Sequence, residues 1–364
     1  MNRFSLVFAI VFPVFSALQA QDTAVTAPGL ADAARYLAGL PVSEGSPLAH
    51  LMHNPRWEAH AAAMNAAFAA LEQRQLGNIR SWRQDLLAPT TQGRGTCLYL
   101  FSGPDFLYAD AFYPDCTTYL LQGLEPADLL PELTAVPEAA LSNTLQNIEA
   151  SLNTILHFSF FKTKNLREDL QRSELKGTVP IMFVFLARSG KEVTGLEQVS
   201  VDQEGHVANG ATGSIRGVRI SFTDSAAGAR KTLYYFTGDL SDDALKRNPG
   251  LVRFYGSFGP TNSFLKAASY LMHEGGFSSV RNFVLATSDT ILQDDSGIPI
   301  RDLPFDRWIL RFFGAYPGPI HLFAKFDQPA LRQDYAASAP KPLPFGFGYQ
   351  WNRQNSTLML AVRR

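Results

Sequence analysis

Short apolar runs, separated by polar turns and amphipathic segments, constrain the fold of this chain more than any other feature. They lie at residues 98–101, 117–121, 179–187 and 231–237 and carry almost no charge. Runs of this length are typical of strands that are buried on both faces, as in a sheet covered by helices. Residues 196–208 and 214–223 instead predict two polar strands interrupted by glycines, and the alternation of apolar and polar side chains predicts an antiparallel meander with one wet face.

Apolar residues three and four apart predict helices in the segments between these runs. The strongest pattern covers residues 137–158, with an extension toward Gln171. An Asn-Pro pair at residues 54–55 predicts the cap and first residue of another helix, which we expect to end at Gly77. A second helix at 78–87 would complete a helical hairpin.

The same patterns predict the remaining elements and the overall class. Further helices are expected at 241–248, 261–274 and 277–287, and further strands at 307–313, 320–326 and 357–362. Together the elements predict an α/β fold with a mixed sheet and α+β character. The expected divisions are a signal peptide at 1–20, a linker and helical hairpin at 21–94, and a sheet-containing body at 95–364.

Two stretches of the body resemble each other. Residues 98–103 and 233–238 are both apolar runs that end in a hydroxyl residue and a glycine. Residues 185–189 and 284–288 form a second similar pair in the same order. An internal duplication would explain both pairs and would give two similar lobes, whereas chance recurrence of short apolar strings is the alternative. The duplicated halves would be 95–230 and 231–340.

The first twenty residues are typical of a cleavable secretory signal peptide. A positive start at Arg3 precedes an uncharged apolar run at 4–17, and Ala20 supplies a small residue for cleavage. The run is short for a membrane span, and an uncleaved N-terminal anchor is the alternative. We therefore expect a periplasmic or extracellular protein that has no membrane attachment after cleavage.

Charge and motif content exclude several classes of function. The formal net charge is -1, which provides no electrostatic footprint for nucleic acid or anionic lipid. The sequence holds no P-loop, no H-E-x-x-H zinc motif and no G-x-S-x-G nucleophile elbow. We therefore expect no bound cofactor and no metal site, and a small molecule or an envelope component as the partner.

Export gives the two cysteines a specific meaning. Cys97 and Cys116 each precede an apolar run, so parallel strands would place them at neighbouring strand starts. In an oxidising compartment they are the only intrachain pair that this sequence offers. We expect a Cys97–Cys116 disulfide, with two inert buried thiols as the alternative.

Carboxylates follow two of the predicted strands. Asp105, with Asp110 and Asp115 nearby, follows the first run, and Asp239 follows the run at 231–237. Ligand sites of α/β sheets lie at the carboxyl ends of strands, where carboxylates bind hard cations or act as general acids and bases. Helix capping by Asp239 or Ser241 is the structural alternative.

His273 is the third candidate catalytic residue. In a helix over 261–274 it would lie in the last turn, with Gly275 as the C-terminal cap, and this structural account is complete. A catalytic histidine that acts with Ser278 or Ser279 is the alternative.

Two other groups have simple structural interpretations. His50, His53 and His60 are close enough in sequence to suggest zinc ligands, but they need not share a helix face, which favours surface or interface roles. Asp294 begins an Asp-Asp-Ser-Gly sequence, which predicts a turn that is held by aspartate and completed by a glycine with positive φ.

Three strings carry a resemblance to other proteins. They are FSGPDFLYADAFYPD at 101–115, YLMHEGGF at 270–277 and ILQDDSGIP at 291–299. They resemble an uncharacterised family of exported, signal-peptide-bearing bacterial proteins, and the resemblance extends over most of the chain after residue 45. It implies export but no activity, so it assigns no catalytic residue.

Two functions follow from these observations. The first is a non-catalytic envelope protein that binds a ligand or acts as a scaffold, because no nucleophile, metal or cofactor motif is complete. The second is a secreted hydrolase that uses Asp105 with His273, or a carboxylate pair with Asp239. Convergence of these three residues in one pocket would favour the hydrolase.

Overall fold

The computed structural model describes residues 29–91, 93, 95–160, 175–224 and 228–364. Ten strands in that part of the chain form one mixed sheet, which confirms the predicted α/β class. In chain order they are β1 (Thr96–Tyr99), β2 (Thr118–Gly123), β3 (Lys191–Val201), β4 (Val207–Asn209), β5 (Ile215–Asp224), β6 (Arg230–Thr237), β7 (Thr261–Leu265), β8 (Ser288–Gln293), β9 (Trp308–Gly314) and β10 (Thr357–Arg363). The predicted signal peptide at 1–20 lies outside the described residues.

Helices cover the sheet and precede it. They are α1 (Leu30–Leu37), α2 (Pro55–Leu71), α3 (Gly77–Trp82), α4 (Ala88–Thr91), α5 (Phe106–Phe112), α6 (Glu138–Phe158), α7 (Val179–Arg188), α8 (Asp242–Arg247), α9 (Gly250–Gly256), α10 (Ser278–Thr287) and α11 (Pro329–Ser338). The helices predicted at 137–158, 241–248 and 277–287 are therefore confirmed, whereas the extension toward Gln171 falls outside the described residues. No helix in the described ranges has the length and apolar character needed to cross a bilayer.

The strand order places a switch point at the centre of the sheet. The order is β4-β3-β5-β6-β2-β1-β7-β8-β10-β9. The five strands from β6 to β8 are parallel, and antiparallel strands extend the sheet on both sides. The chain moves from β1 to β2 on one side, and β7 later pairs with β1 on the other side. In such sheets the crevice at the carboxyl ends of these strands is the usual ligand site.

Alternating residues of the strands divide the core into two layers. Tyr99 and Leu121 belong to a hydrophobic cluster with Phe112, whereas Leu98 belongs to a second cluster with Phe254. Because successive side chains of a strand point to opposite faces, these clusters cover the two faces of one sheet. The described chain is therefore a three-layer arrangement with helices on both faces.

The predicted disulfide is wrong, because Cys97 and Cys116 are both buried and no disulfide bond joins them. The strands are parallel, as expected, but Cys97 lies opposite Tyr119 in the register. Cys116 therefore lies three positions upstream of the residue that faces Cys97. The side-chain amide nitrogen of Asn262 instead lies 3.9 Å from Cys116 Sγ.

The predicted helical hairpin is also corrected. Asn54 caps α2 as expected, since its side-chain oxygen accepts a hydrogen bond of 2.7 Å from the Arg56 amide. Gly77 does not end the helix, because its φ of -60° and ψ of -42° are helical. Turns of π-helix at Glu72–Leu76 and Arg83–Leu87 join α2, α3 and α4 into one continuous segment. The chain therefore has no turn at which a hairpin could form in this region.

The apolar run at 179–187 forms helix α7 rather than the predicted strand. Its residues are buried all round, between α1, α5, α6 and β3. A short apolar run has no periodicity to distinguish a buried helix from a buried strand. Pro180, in the first turn, is the local signal for a helix start.

Two later secondary-structure predictions are also wrong. The segment 261–274, predicted as a helix, begins with the buried strand β7 and continues as a loop with a 3₁₀ turn at Leu271–His273. Pairing with β1 and β8 in the centre of the sheet overrides its local preference. The segment 320–326, predicted as a strand, forms 3₁₀ turns over His321–Phe326.

The two halves suggested by internal similarity share one sheet. Strand β6 of the second half lies between β5 and β2 of the first half, and β7 pairs with β1, so both halves contribute strands to one continuous sheet. The expected two lobes are therefore wrong, since residues 95–230 and 231–340 do not form separate sheets. The duplication itself stays a prediction.

Candidate functional site

A cavity of about 790 Å³ opens at the carboxyl ends of β1, β2, β6 and β7. Its volume lies within the range of roughly 300–1,000 Å³ that is typical of small-molecule sites. The wall is mainly apolar and aromatic, and it includes Phe101, Leu240, Leu271, Phe277 and Phe323. The cavity therefore lies at the switch point, where the topology predicts a ligand.

An ion pair is buried in the wall of this cavity. Lys266 directly follows β7 and Asp105 follows β1, so the parallel topology brings them to one edge. The Lys266 Nζ atom lies 2.8 Å from Asp105 Oδ2, and the two side chains are only 1% and 2% exposed. Tyr99 donates a hydrogen bond of 2.9 Å to the same carboxylate oxygen. The other oxygen accepts a bond of 3.1 Å from the Tyr108 amide and caps α5.

The Lys266 ammonium group makes two further contacts. Its Nζ atom donates a hydrogen bond to the Ser159 carbonyl and lies 3.7 Å from the centroid of the Tyr108 ring. Burial lowers the pKa of Lys266, whereas the carboxylate of Asp105 opposes this shift. Because these groups surround the ammonium, Lys266 is held in place as part of the wall.

The backbone around the cavity is strained at the strand ends. Phe101, Ala267, Ser269 and Tyr270 have φ values of 60°, 51°, 54° and 54°, which place non-glycine residues in the left-handed region. Each such residue costs on the order of 1–3 kcal/mol, and such residues cluster at functional sites. The carboxylate of Asp294 helps to hold this conformation by accepting a hydrogen bond of 3.0 Å from the Ala267 amide.

Two adjacent buried carboxylates support the loop after β7. Asp294 Oδ1 accepts a hydrogen bond of 3.1 Å from the Ser296 amide, which confirms the predicted turn. Contrary to the prediction, Gly297 does not have a positive φ. The glycine is needed for space, because a Cβ there would lie 2.5 Å from Gln293 Oε1. Tyr270 donates a hydrogen bond of 2.5 Å to Asp295 Oδ2. Burial and the neighbouring Asp294 raise the pKa of Asp295 to about 7.

The three predicted catalytic residues are not all brought together. Asp105 and Asp239 both line the cavity, but His273 is not among its lining residues. The His273 ring packs 5.2 Å from the Tyr270 ring and 5.5 Å from the Phe326 ring, by centroid. Burial lowers the pKa of His273 to about 4, so the imidazole is neutral at physiological pH. The catalytic roles of these residues stay predictions.

The capping interpretation of the second loop holds. Asp239 accepts hydrogen bonds of 2.8 Å from both the amide and the hydroxyl of Ser241. The Ser241 hydroxyl in turn accepts from the Ala244 amide and caps α8. Asp239 is exposed at the cavity edge, so it contributes negative charge there as well as local structure.

The other predicted acids lie away from the cavity. Asp110 forms a buried ion pair with Lys191, 3.2 Å from Nζ to Oδ1, and Asp115 pairs with Arg83 near the surface. These aspartates therefore form ion pairs elsewhere in the structure and do not lie with Asp105 in the cavity wall.

The histidines near the N-terminal helices also have structural surroundings. The two ring nitrogens of His60 lie 2.7 Å from Glu149 Oε1 and 2.9 Å from the Leu37 carbonyl. His50 is exposed and contacts the Pro47 carbonyl through Nδ1. Within the described ranges, no group of three or more His, Cys, Asp or Glu residues is arranged to hold a metal ion.

Sequence reasoning did not single out Lys266, Tyr270 or Asp295 as a connected group. A lysine directly after a buried strand is the one local signal for Lys266, and it was obscured by the helix predicted over that segment. No protein-family model matches this chain, and no curated protein matches it significantly. The site is therefore interpreted from its own geometry.

Proposed function

We propose that this chain is an exported binding protein for a small amphipathic molecule whose apolar part enters the cavity at the switch point. The observation that carries the proposal is the cavity itself, which combines an apolar wall of adequate volume with a few polar groups. Export rests on the sequence of residues 1–20. Binding, rather than a scaffold role, accounts for a concave surface at the usual ligand position of the fold.

The polar surroundings favour a ligand with an uncharged polar group. The positive charge of Lys266 is balanced by Asp105 at 2.8 Å, so it leaves no strong demand for an anion. The Ser269 and Tyr349 hydroxyls lie 3.0 Å apart, and Tyr349 donates a hydrogen bond of 3.0 Å to the Ala267 carbonyl, so the two oxygen atoms offer acceptors to a hydrogen-bond donor of the ligand. A hydroxyl or amide on an apolar body would match this distribution.

The hydrolase is the second candidate function, and the shared position of Asp105 and Asp239 in the cavity favours it. Its support is weaker, because no histidine lines the cavity among the described residues. The Ser102 hydroxyl donates a hydrogen bond of 2.7 Å to the Gly103 carbonyl, an arrangement that does not activate it as a nucleophile. Asp105, held by Lys266 and Tyr99, has a structural task already.

A fluorescence titration tests the binding proposal. The probe is N-phenyl-1-naphthylamine, an uncharged aromatic molecule whose emission rises in apolar surroundings. The test variant is Leu322→Asp, because Leu322 lies at the cavity mouth and is 79% exposed, which lets the variant fold. The matched control is Leu129→Asp, since Leu129 is 45% exposed and does not line the cavity.

The expected result is saturable probe binding that Leu322→Asp weakens by about fivefold or more, because part of a leucine contact is replaced by a carboxylate. Leu129→Asp should keep the wild-type affinity. Absence of saturable binding, or equal loss in both variants, would reject the cavity as the binding site. The hydrolase hypothesis predicts that an ester substrate screen gives activity and that Asp239→Asn abolishes it. The binding proposal predicts no hydrolysis in the same screen.

A further inference from the structure

A second cavity, of about 430 Å³, lies behind the wall of the first. Tyr108 and Ser159 line it, and these are the residues that Lys266 contacts from the other side. Its remaining lining comes from the junction of α2 and α3, the end of α6 and the segment at 345–353. The buried lysine thus separates two cavities of different character.

The Tyr108 hydroxyl is buried in the wall of this cavity, and it has no hydrogen-bond partner among the described residues. Gln75, through its side-chain amide, and Arg74, through its charge, both oppose the rise in the pKa of Tyr108 that burial causes, and both line the same cavity, which places the hydroxyl on the cavity side. The Gln75 side chain is already engaged, because it exchanges two hydrogen bonds with the backbone of Gly346. A buried hydroxyl without a partner is costly, which indicates a missing ligand group.

The charge of the second cavity is positive. Arg74 and Arg353 line it, and its lining in the described ranges includes no aspartate or glutamate. Arg74 donates a hydrogen bond of 2.6 Å to the Leu156 carbonyl, which fixes the position of its guanidinium group. Trp351 adds an exposed aromatic surface beside them.

We propose that this second cavity binds an aromatic anion, a carboxylate or sulfonate attached to a planar ring. The anionic oxygen atoms would accept hydrogen bonds from the Tyr108 hydroxyl and from arginine, a donor set that suits such groups. The ring would pack against Trp351, and the volume is sufficient for one or two fused rings. This site is independent of the uncharged ligand that we propose for the first cavity.

Calorimetric titration of the full chain with 2-naphthalenesulfonate tests the proposal, with 2-naphthalenemethanol as an uncharged analogue of similar shape. The sulfonate should bind at least tenfold more tightly than the alcohol. Arg353→Gln should weaken sulfonate binding by about tenfold, because a hydrogen bond to a charged group is lost. The matched control is Arg80→Gln, which removes the same charge from another exposed position that lies outside the cavity lining.

Tyr108→Phe provides the sharper result. It should weaken sulfonate binding by about tenfold while leaving resistance to urea unchanged or higher, because the free protein loses a buried hydroxyl that has no partner. Binding of N-phenyl-1-naphthylamine should stay at the wild-type affinity in both variants, which separates this site from the first cavity.

Three outcomes would overturn the proposal. The first is equal affinity for the sulfonate and the alcohol, or no sulfonate binding. The second is unchanged sulfonate affinity in Arg353→Gln, an exposed position where loss of the fold is not expected. The third is a large loss of urea resistance in Tyr108→Phe, which would mean that the hydroxyl has a partner within the protein.

Discussion

Lys266 and Asp105 form a buried ion pair of 2.8 Å that joins the ends of β7 and β1 on the two sides of the switch point. Lys266 also donates to the Ser159 carbonyl, so the pair connects the sheet to the end of α6. The pair therefore fixes the part of the wall that the two cavities share.

Removal of one partner of this pair should be strongly destabilising. Lys266→Met leaves the Asp105 carboxylate buried without a counter-ion, at a cost of about 3–5 kcal/mol in the free energy of unfolding. Asp105→Asn should act in the same direction. The double variant should lose less than the sum of the two single variants, since it buries no unpaired charge. Urea denaturation of the four proteins measures this coupling.

Lys325→Met is the control for this prediction. Lys325 pairs with Glu274 at 2.7 Å, but the two side chains are 72% and 46% exposed. Such a surface pair contributes at most about 1 kcal/mol. A loss in Lys325→Met as large as that in Lys266→Met would contradict the role assigned to burial.

Asp295 should make stability depend on pH between about 4 and 7. Burial and Asp294 raise its pKa to about 7 in the folded chain, from an ordinary value of 3.8 for aspartate. The folded state therefore binds more protons than the unfolded state in this window, and stability should fall as pH rises toward 7. Above about pH 7 this contribution should be constant.

Asp295→Asn tests the pH dependence directly. It should flatten the curve of unfolding free energy between pH 4 and 7 and should be more stable than wild type at pH 8. An asparagine oxygen can still accept the hydrogen bond from Tyr270. Asp128→Asn, at an exposed position, should leave the curve unchanged. A wild-type curve that rises from pH 4 to 7, with no change in Asp295→Asn, would contradict the assignment.

Both cysteines should be present as unreactive thiols. Burial raises the pKa of Cys97 well above its usual range and that of Cys116 to about 12, so neither forms much thiolate at neutral pH. Ellman's reagent at pH 8 should react slowly with the folded chain and should titrate both thiols after unfolding without reductant. Absence of thiols in the unfolded protein would show that a bridge forms after all.

Gly348 should tolerate no side chain. Its φ is +66°, and a Cβ built there would collide with the Asp294 carboxylate that supports the cavity loop. Gly228→Ala is a matched control, because its φ is +63° and no atom of the described residues lies within 4 Å of the added Cβ. Gly228→Ala should cost about 1–2 kcal/mol, the backbone term alone. Gly348→Ala should cost at least twice as much in urea denaturation, and equal costs would contradict the collision.

Three of the central strands were predictable because their signals are local. Strands β1, β2 and β6 contain short apolar runs bounded by turn residues, and the meander of β3 and β5 has its alternation in the sequence. Helix α7 was predicted as a strand and strand β7 as part of a helix, for different reasons. In α7, burial on all sides removes the polar face whose period would identify the element. In β7, the buried residues Thr261, Asn262 and Ser263 are polar, so the segment lacks the apolar run that identifies the other central strands.

The candidate site was predictable only in part. Asp105 and Asp239 follow strands, and parallel strands place such residues at one edge. Lys266, however, lies more than 150 residues after Asp105, and their pairing depends on a strand order that the sequence does not specify. The disulfide prediction was wrong for a similar reason, because it depends on the register between β1 and β2. That register places Cys97 opposite Tyr119 rather than Cys116.

Photochemical cross-linking with benzophenone tests the central claim, that the cavity at the switch point is a ligand site, most directly. Benzophenone is uncharged, fits the volume of about 790 Å³ and inserts into nearby C–H bonds when irradiated. Peptide mapping should locate the saturable adducts in segments that contain Phe101, Leu271 or Phe323, and an excess of N-phenyl-1-naphthylamine should suppress them. Saturable adducts confined to another surface, such as the edge strand Trp308–Gly314, would contradict the account.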